Sequence, residues 1–207
     1  MSAQTSRIYL LDVSTGEAVE AELLDSIEKA HLVDWQTKWQ PALFGVLQSL
    51  ARSGVPQAQW PQSWHWNWQE KTAKVSGLLA FKGFSVVALG ETQGLAQVDL
   101  TKSARAPDEV GKPLVYIDYL EAAPWNRPEL GSPARLRGVG TALITASVTL
   151  SFDEGFKGRI GLHSLPQADA FYRDRCGMTD LGPDPAYQNL RYFEFTPGQA
   201  GKFLEED

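Results

Sequence analysis

Eight residues in the second half of the chain have the types and spacing to hold phosphate: Arg135-Leu136-Arg137-Gly138-Val139-Gly140-Thr141-Ala142. Glycine lacks a Cβ, so backbone N–H groups at Gly138 and Gly140 can approach a ligand closely. An apolar helical pattern opens directly after them. A helix start offers unpaired N–H donors and the positive end of the helix dipole. Arg135 and Arg137 can add charge-assisted hydrogen bonds. This is not a Walker loop, because no Gly-Lys-Ser/Thr follows. Nor is it a dinucleotide fingerprint, since Leu143 stands where a third glycine belongs and the preceding loop is too long for a tight strand-to-helix turn.

Two carboxylates are candidates for proton transfer. Asp118 interrupts the apolar run Leu114 to Leu120 and shares a face with Tyr116 and Leu120. Burying an acid there is costly unless it is paired or protonated, and burial would raise its pKa towards a value useful for a base. The alternative reading is a structural partner of an arginine or a backbone amide. Glu121 follows at the end of the same run. His163, just after a short strand, could serve as a base, but reads more simply as a satisfied structural histidine. His65 sits between tryptophans, and three scattered histidines lack metal-ligand spacing. Cys176 reads as packing.

Several elements must position these groups. Ser6–Val13 has the apolar content of a strand, Ser14-Thr15-Gly16 of a turn, and Glu17–Ala30 the stripe Val19, Leu23, Leu24, Ile27 of a helix. Pro41 suits the first turn of a helix carrying Leu43, Phe44, Leu47 and Leu50. Trp60, Trp64, Trp66 and Trp68 crowd into nine positions, and the spacing of the last three suits one face of an extended segment. They read either as packing for a helical layer or as an aromatic wall for a cationic amine. A helix follows from Gln69 to about Leu79. Phe84–Leu89 and Leu95–Leu100 read as strands around a turn at Gly90–Gly94. Leu114–Leu120 is a third strand, ended by Pro124, and a loop rich in Arg, Pro and Gly spans Asn126–Arg137. The helix Gly138–Phe152 carries a broad apolar face. Arg159–Ser164 reads as a strand, Pro166–Arg175 as a helix and Asn189–Phe195 as a last strand, so the class is α/β (α+β).

On these segments the chain resembles the GNAT acetyltransferase superfamily over about residues 84–195. Arg135-x-x-Gly138-x-Gly140 matches the family's Gln/Arg-x-x-Gly-x-Gly/Ala, between its fourth strand and third helix. Leu120-Glu121-Ala122-Ala123-Pro124 is similar to the Leu-x-Val-x-Pro that ends that strand. Arg159-Ile160-Gly161-Leu162 resembles its fifth strand. Ala168-x-x-Phe171-Tyr172 with Gly177-Met178 resembles its Ala-x-x-x-Tyr-x-x-x-Gly-Phe, with one more residue between Tyr172 and Gly177. Leu165 stands where many members carry Asn, and the loop from Pro124 to Arg135 is longer than usual.

The resemblance implies a mixed, mostly antiparallel central sheet flanked by helices, with a helical Trp-rich N-terminal portion. It implies one GNAT-like domain across residues 1–207, residues 1–80 being that portion and 84–195 the coenzyme-binding core. The implied co-substrate is acetyl-CoA, without a metal. Its pyrophosphate would lie on Arg135, Arg137, Gly138, Val139, Gly140 and Thr141, and its pantetheine arm between Ala122 and Pro124. Tyr172 is the implied acid at the coenzyme sulfur. Asp118 stands where the family sometimes carries a catalytic residue, and Glu121 lies near the meeting point of coenzyme and acceptor. The implied activity is N-acetyl transfer to a small-molecule or protein amine. A non-catalytic acyl-CoA-binding module and a toxin-like acetyltransferase of aminoacyl-tRNA are the alternatives; a homodimer is left open.

Composition sets limits. A chain of 207 residues with a formal net charge of −6 lacks the overall basic balance of a nucleic-acid binder. No apolar run approaches the roughly 18 residues of a membrane span. The start, Met1–Arg7, lacks the basic-then-apolar pattern of a secretory signal. The single cysteine excludes an internal disulfide. A cytoplasmic setting is the expectation, and the acidic end Glu205-Glu206-Asp207 reads as a solvated tail.

Overall fold

An Asx turn starts the architecture of the computed structural model. Asp12 Oδ1 accepts from the Ser14 N–H at 2.8 Å and from the Thr15 N–H at 3.3 Å, and Gly16 takes φ +73°. The turn joins β1 (Thr5–Asp12) to β2 (Ala18–Leu24) in an antiparallel ladder running from Thr5↔Leu24 to Leu11↔Ala18. The structure describes residues 4–206; Met1–Ala3 of the chain start and Asp207 of the tail lie outside it. The helix expected over Glu17–Ala30 is therefore corrected to a strand. Val19, Leu23, Leu24 and Ile27 fit a period of 3.6, but Val19, Ala21 and Leu23 fit a period of 2 equally well. The turn at Asp12–Gly16 brings a partner strand within reach and decides for the ladder.

A continuous helical run follows: α1 (Lys29–Asp34), a π-helical turn at Trp35–Trp39, and α2 (Gln40–Arg52). Pro41 lies early in α2 but inside the run. Its ring would press on the carbonyl four residues back and it has no N–H to give, so a wider turn just before it relieves both problems. The Gln40 N–H bonds Trp35 O accordingly.

Trp60–Trp68 is not extended, which corrects the second expectation. Pro56 and Pro61 each start a 3₁₀ turn, at Gln57–Gln59 and Gln62–His65, and α3 spans Trp68–Val75 with Asn67 accepting from the Glu70 N–H. Strands β3 (Phe81–Ala88) and β4 (Glu91–Asp99) meet at Leu89 and Gly90 with φ of +55° and +72°. That signature belongs to a two-residue type I′ hairpin. Gln93 and Gly94 thus lie inside β4, not in the turn.

Beyond them come β5 (Val115–Ala122), β6 (Leu136–Arg137), α4 (Val139–Asp153), β7 (Ile160–Ser164), β8 (Thr179–Asp184), β9 (Leu190–Phe195) and α5 (Pro197–Glu206). Strands β6 and β8 and helix α5 were not anticipated. Residues 205 and 206 end α5 rather than forming a loose tail. The Pro166–Arg175 helix is present as one continuous helical run, which opens as a 3₁₀ turn at Pro166–Ala168 and closes as a π-helical turn at Phe171–Arg175, in which the Cys176 N–H reaches Phe171 O at 3.0 Å. A π turn holds one more residue than an α turn. It absorbs the extra residue between Tyr172 and Gly177.

The sheet order is β6-β1-β2-β3-β4-β5-β7-β9-β8. Among the ladders with defined register, β5–β7 is parallel and the rest are antiparallel. The β5–β7 ladder stops at Ile117↔Leu162, although β5 runs on to Ala122 and β7 to Ser164. Contacts divide the chain into two compact units, one of residues 1–77, 83–95 and 121–142, the other of 78–82, 96–120 and 143–207.

In the first unit Leu10, Ala21, Trp35, Trp39, Trp68, Val86 and Leu136 are buried. Trp68 is wholly buried. Removing such a ring from water hides about 150–250 Å², a gross gain of about 5 kcal/mol before entropy is subtracted. In the second unit Ala104, Leu114, Tyr116 and Tyr192 cluster, with Leu181 against them. There Phe195 lies 5.3 Å from Phe203, fixing α5 on β9. Among the described residues no helix is long and apolar enough to cross a membrane.

Candidate active site

The end of β5 carries Glu121, a buried carboxylate with strong partners. Trp68 Nε1 donates to its Oε2 at 2.7 Å, and the buried Arg127 guanidinium donates to its Oε1 at 3.0 Å. Arg127 also bonds Glu129 at 2.8 Å. Burial pushes the Glu121 carboxyl above its ordinary range, while Arg127 and Trp68 pull the other way. Ser63 Oγ faces the same carboxylate at a geometry short of a full hydrogen bond.

Glu121 lines a cavity of about 210 Å³. Trp35, Trp39, Leu43 and Leu47 supply one wall, a stripe at spacing four along the π turn and α2. Trp64, Trp66 and Ser63 come from the second 3₁₀ turn and the residues after it, and Pro124 from the end of β5. Trp39 Nε1 bonds Thr92 O at 2.9 Å, and Asp34 accepts from the Thr92 N–H at 2.8 Å, so the wall is pinned to the start of β4. Sequence reasoning named Trp64, Trp66 and Glu121 but missed Trp35, Trp39, Ser63 and Arg127. The spacing-four stripe was a legible signal.

The phosphate-loop residues sit at the start of α4. Gln93 Oε1 accepts from Trp125 Nε1 at 2.9 Å and Asn126 Nδ2 at 2.8 Å, and Asn126 Oδ1 accepts from the Leu136 N–H at 2.8 Å. The long loop is thus held from β4. It then pairs with β1 through Leu11↔Arg137 and Asp12↔Leu136. Gly138 follows with φ +102°, a conformation L side chains rarely adopt, and a Cβ there would come within 3.2 Å of Leu10 Cδ2. The first intrahelical bond runs from the Ala142 N–H to Gly138 O at 2.8 Å. The N–H groups of Val139, Gly140 and Thr141 precede it and have no intrahelical acceptor. Arg135, Arg137 and Gly138 are exposed, Gly140 is half-buried, and Val139 and Thr141 are buried. Arg135 contacts Glu91 at 3.4 Å. Ala122 is half-buried and Pro124 buried.

The remaining predicted residues belong to the second unit. Asp118 is half-buried on β5, one residue past the last rung of the β5–β7 ladder. Tyr172 is buried in the π turn, 5.1 Å from the Phe171 ring and 5.9 Å from Phe193, and burial drives its phenol pKa upward. His163 accepts or donates at both ring nitrogens, to Tyr116 at 2.6 Å and Asp184 at 3.0 Å, under a stacked Tyr187 ring at 3.8 Å. That full set of partners matches its structural reading.

No family model and no curated protein matches the sequence. Solved structures do. Mycobacterium smegmatis RimJ, in complex with CoA-disulfide, aligns over 100% of this chain and 97% of its own at TM-score 0.50 and 12% identity. The GNAT domain of S. lividans PAT aligns over 92% and 96% at TM-score 0.51 and 13% identity. The chain has the GNAT acetyltransferase fold. At such low identity, fold is what the likeness establishes.

Proposed function

We propose that the protein transfers the acetyl group of acetyl-CoA to a primary amine by direct attack. The observation that supports this most is the strand-anchored, glycine-bearing start of α4, with exposed arginines beside it, in a GNAT fold. The N–H groups of Val139, Gly140 and Thr141 would hold the pyrophosphate, with Arg135 and Arg137 adding charge. Ala122 and Pro124 would flank the pantetheine arm. Acetyl-CoA supplies the activated acetyl group as its thioester.

The chain's own groups would manage the protons. The acceptor must lose its ammonium proton before its lone pair can form the N–C bond. We assign that task to Glu121, directly or through water, because it lines the cavity and burial raises its basicity. Asp118 is the second candidate. As the C–S bond breaks, the thiolate needs a proton, and we assign that donor role to the Tyr172 phenol, whose acidity burial lowers.

The test combines calorimetry of acetyl-CoA binding with thioester cleavage against a panel of amines. Binding together with amine-dependent release of free thiol is the expected result. Binding without turnover on any amine would favour a coenzyme-binding module, and no binding would remove the proposal.

A further inference from the structure

The geometry points to a compact primary amine bearing one apolar or aryl group as the acceptor. This rests on the acetyl-transfer reading above and deepens it. Trp35, Trp39 and Trp64 with Leu43, Leu47 and Phe44 give the cavity aromatic and aliphatic walls. Helix α2 has no fully buried residue, and its Phe44 is 60% exposed, so this apolar face stands open at the rim. Exposed apolar surface around a concavity marks a binding site.

The polar end is narrow and specific. Among the described residues Glu121 is the one ionisable group lining the cavity, and its charge is already matched by Arg127. Ser63, 3% exposed, lines the same cavity, and its buried Oγ has no well-formed partner among the described residues. With its O–H turned towards the Glu121 carboxylate, the Ser63 hydroxyl keeps lone pairs that can accept from one ammonium or amine N–H. A tryptophan face adds cation–π attraction for the same group.

Size limits the rest. An apolar cavity of about 150 Å³ is enough for benzene, and this one measures about 210 Å³. It has room for one ring and a short tail ending at Glu121 and Ser63. Glu121 is the one carboxylate among the described lining residues and Arg127 already pairs with it, so the lining offers no counter-charge to a second ammonium. Polyamines and sugar-based polyamines are therefore poor acceptors.

Phenethylamine and putrescine are the probes, each assayed with saturating acetyl-CoA. Phenethylamine should show a KM at least about tenfold lower than putrescine, the scale of one lost or uncompensated contact. Phe44→Ala, at an exposed rim position that should leave the fold intact by thermal melt, should raise the phenethylamine KM by about tenfold with kcat retained. Leu47→Trp, which fills the cavity, should abolish phenethylamine use while acetyl-CoA affinity by calorimetry persists. Putrescine or a peptide N-terminus used as well as phenethylamine would overturn the inference and leave acetyl transfer standing. Failure of every amine despite acetyl-CoA binding would instead remove the transfer reading, and this one with it.

Discussion

Trp68 Nε1 donates to Glu121 Oε2 at 2.7 Å, across 53 residues of sequence, from a ring with no solvent exposure. Replacing Trp68 with Phe keeps an apolar ring but strips the donor. A buried oxygen left short of a partner costs about 1–3 kcal/mol. Urea denaturation should show a loss of that size. A shift below about 0.5 kcal/mol, the level of an ordinary surface change, would mean that the bond adds nothing to stability.

Glu121→Gln removes the charge that faces Arg127. Breaking a buried pair by deleting one partner costs about 3–5 kcal/mol, and the remaining bond from Arg127 to Glu129 at 2.8 Å argues for the lower end. Turnover should fall by about 10²-fold or more, the scale of a lost proton acceptor. Adding Arg127→Met should restore much of the stability but not the turnover. If turnover returned with stability, Glu121 would be a structural residue only.

Gly138→Val forces a β-branched residue to φ +102° and brings a Cβ within 3.2 Å of Leu10 Cδ2. Backbone strain of this kind is worth about 1–3 kcal/mol, and relaxing it must move the N–H groups at the start of α4. Acetyl-CoA affinity measured by calorimetry should weaken by more than tenfold. Unchanged affinity would show that the coenzyme binds elsewhere.

Tyr172→Phe keeps the buried ring contacts with Phe171 and Phe193 and deletes only the hydroxyl. Turnover should drop by about 10²-fold with coenzyme affinity nearly unchanged. Equal pre-steady-state rates in wild type and variant would take Tyr172 out of the chemistry.

Acid should destabilise the protein in two stages. Burial holds His31 and His163 below the ordinary 6.5, so the unfolded chain binds more protons than the folded one below that pH. Stability present above 6.5 is lost as pH falls through this range. Asp184 is held at about 2, chiefly by its bond from Arg105 and then by that from His163. Asp180 is also held at about 2: burial pushes it up, but Arg173 and Arg191 outweigh burial. Their contribution is present above 3.8 and lost between there and about 2. The urea midpoint should decline between pH 7 and 5, less steeply in His163→Gln, and again below pH 4. A flat profile from pH 7 to 5 would show that both imidazoles charge freely in the folded state.

Local patterns were readable where one periodicity had no rival. The long apolar run of α4, its glycines, and the Leu120–Pro124 strand end could be placed from residues alone. Glu17–Ala30 could not, because its apolar residues satisfy helix and strand periods together, and the choice was made by a partner strand brought round by Asp12. The Trp60–Trp68 segment misled for a related reason. Spacing two suggested a strand, yet Pro56 and Pro61 started 3₁₀ turns that sent these rings to different places. Trp68 went to the core, and Trp64 and Trp66 to the cavity wall.

By itself, then, the sequence determined a glycine-bearing helix start with flanking arginines and a carboxylate at the end of a buried strand. Those depend on residue types a few positions apart. What only the tertiary structure decided is that Trp68, Arg127 and Ser63 converge on Glu121, and that a stripe from Trp35 to Leu47 closes a cavity over it. Such contacts join residues tens of positions apart, and burial, which raises the basicity of Glu121, exists only once they have formed.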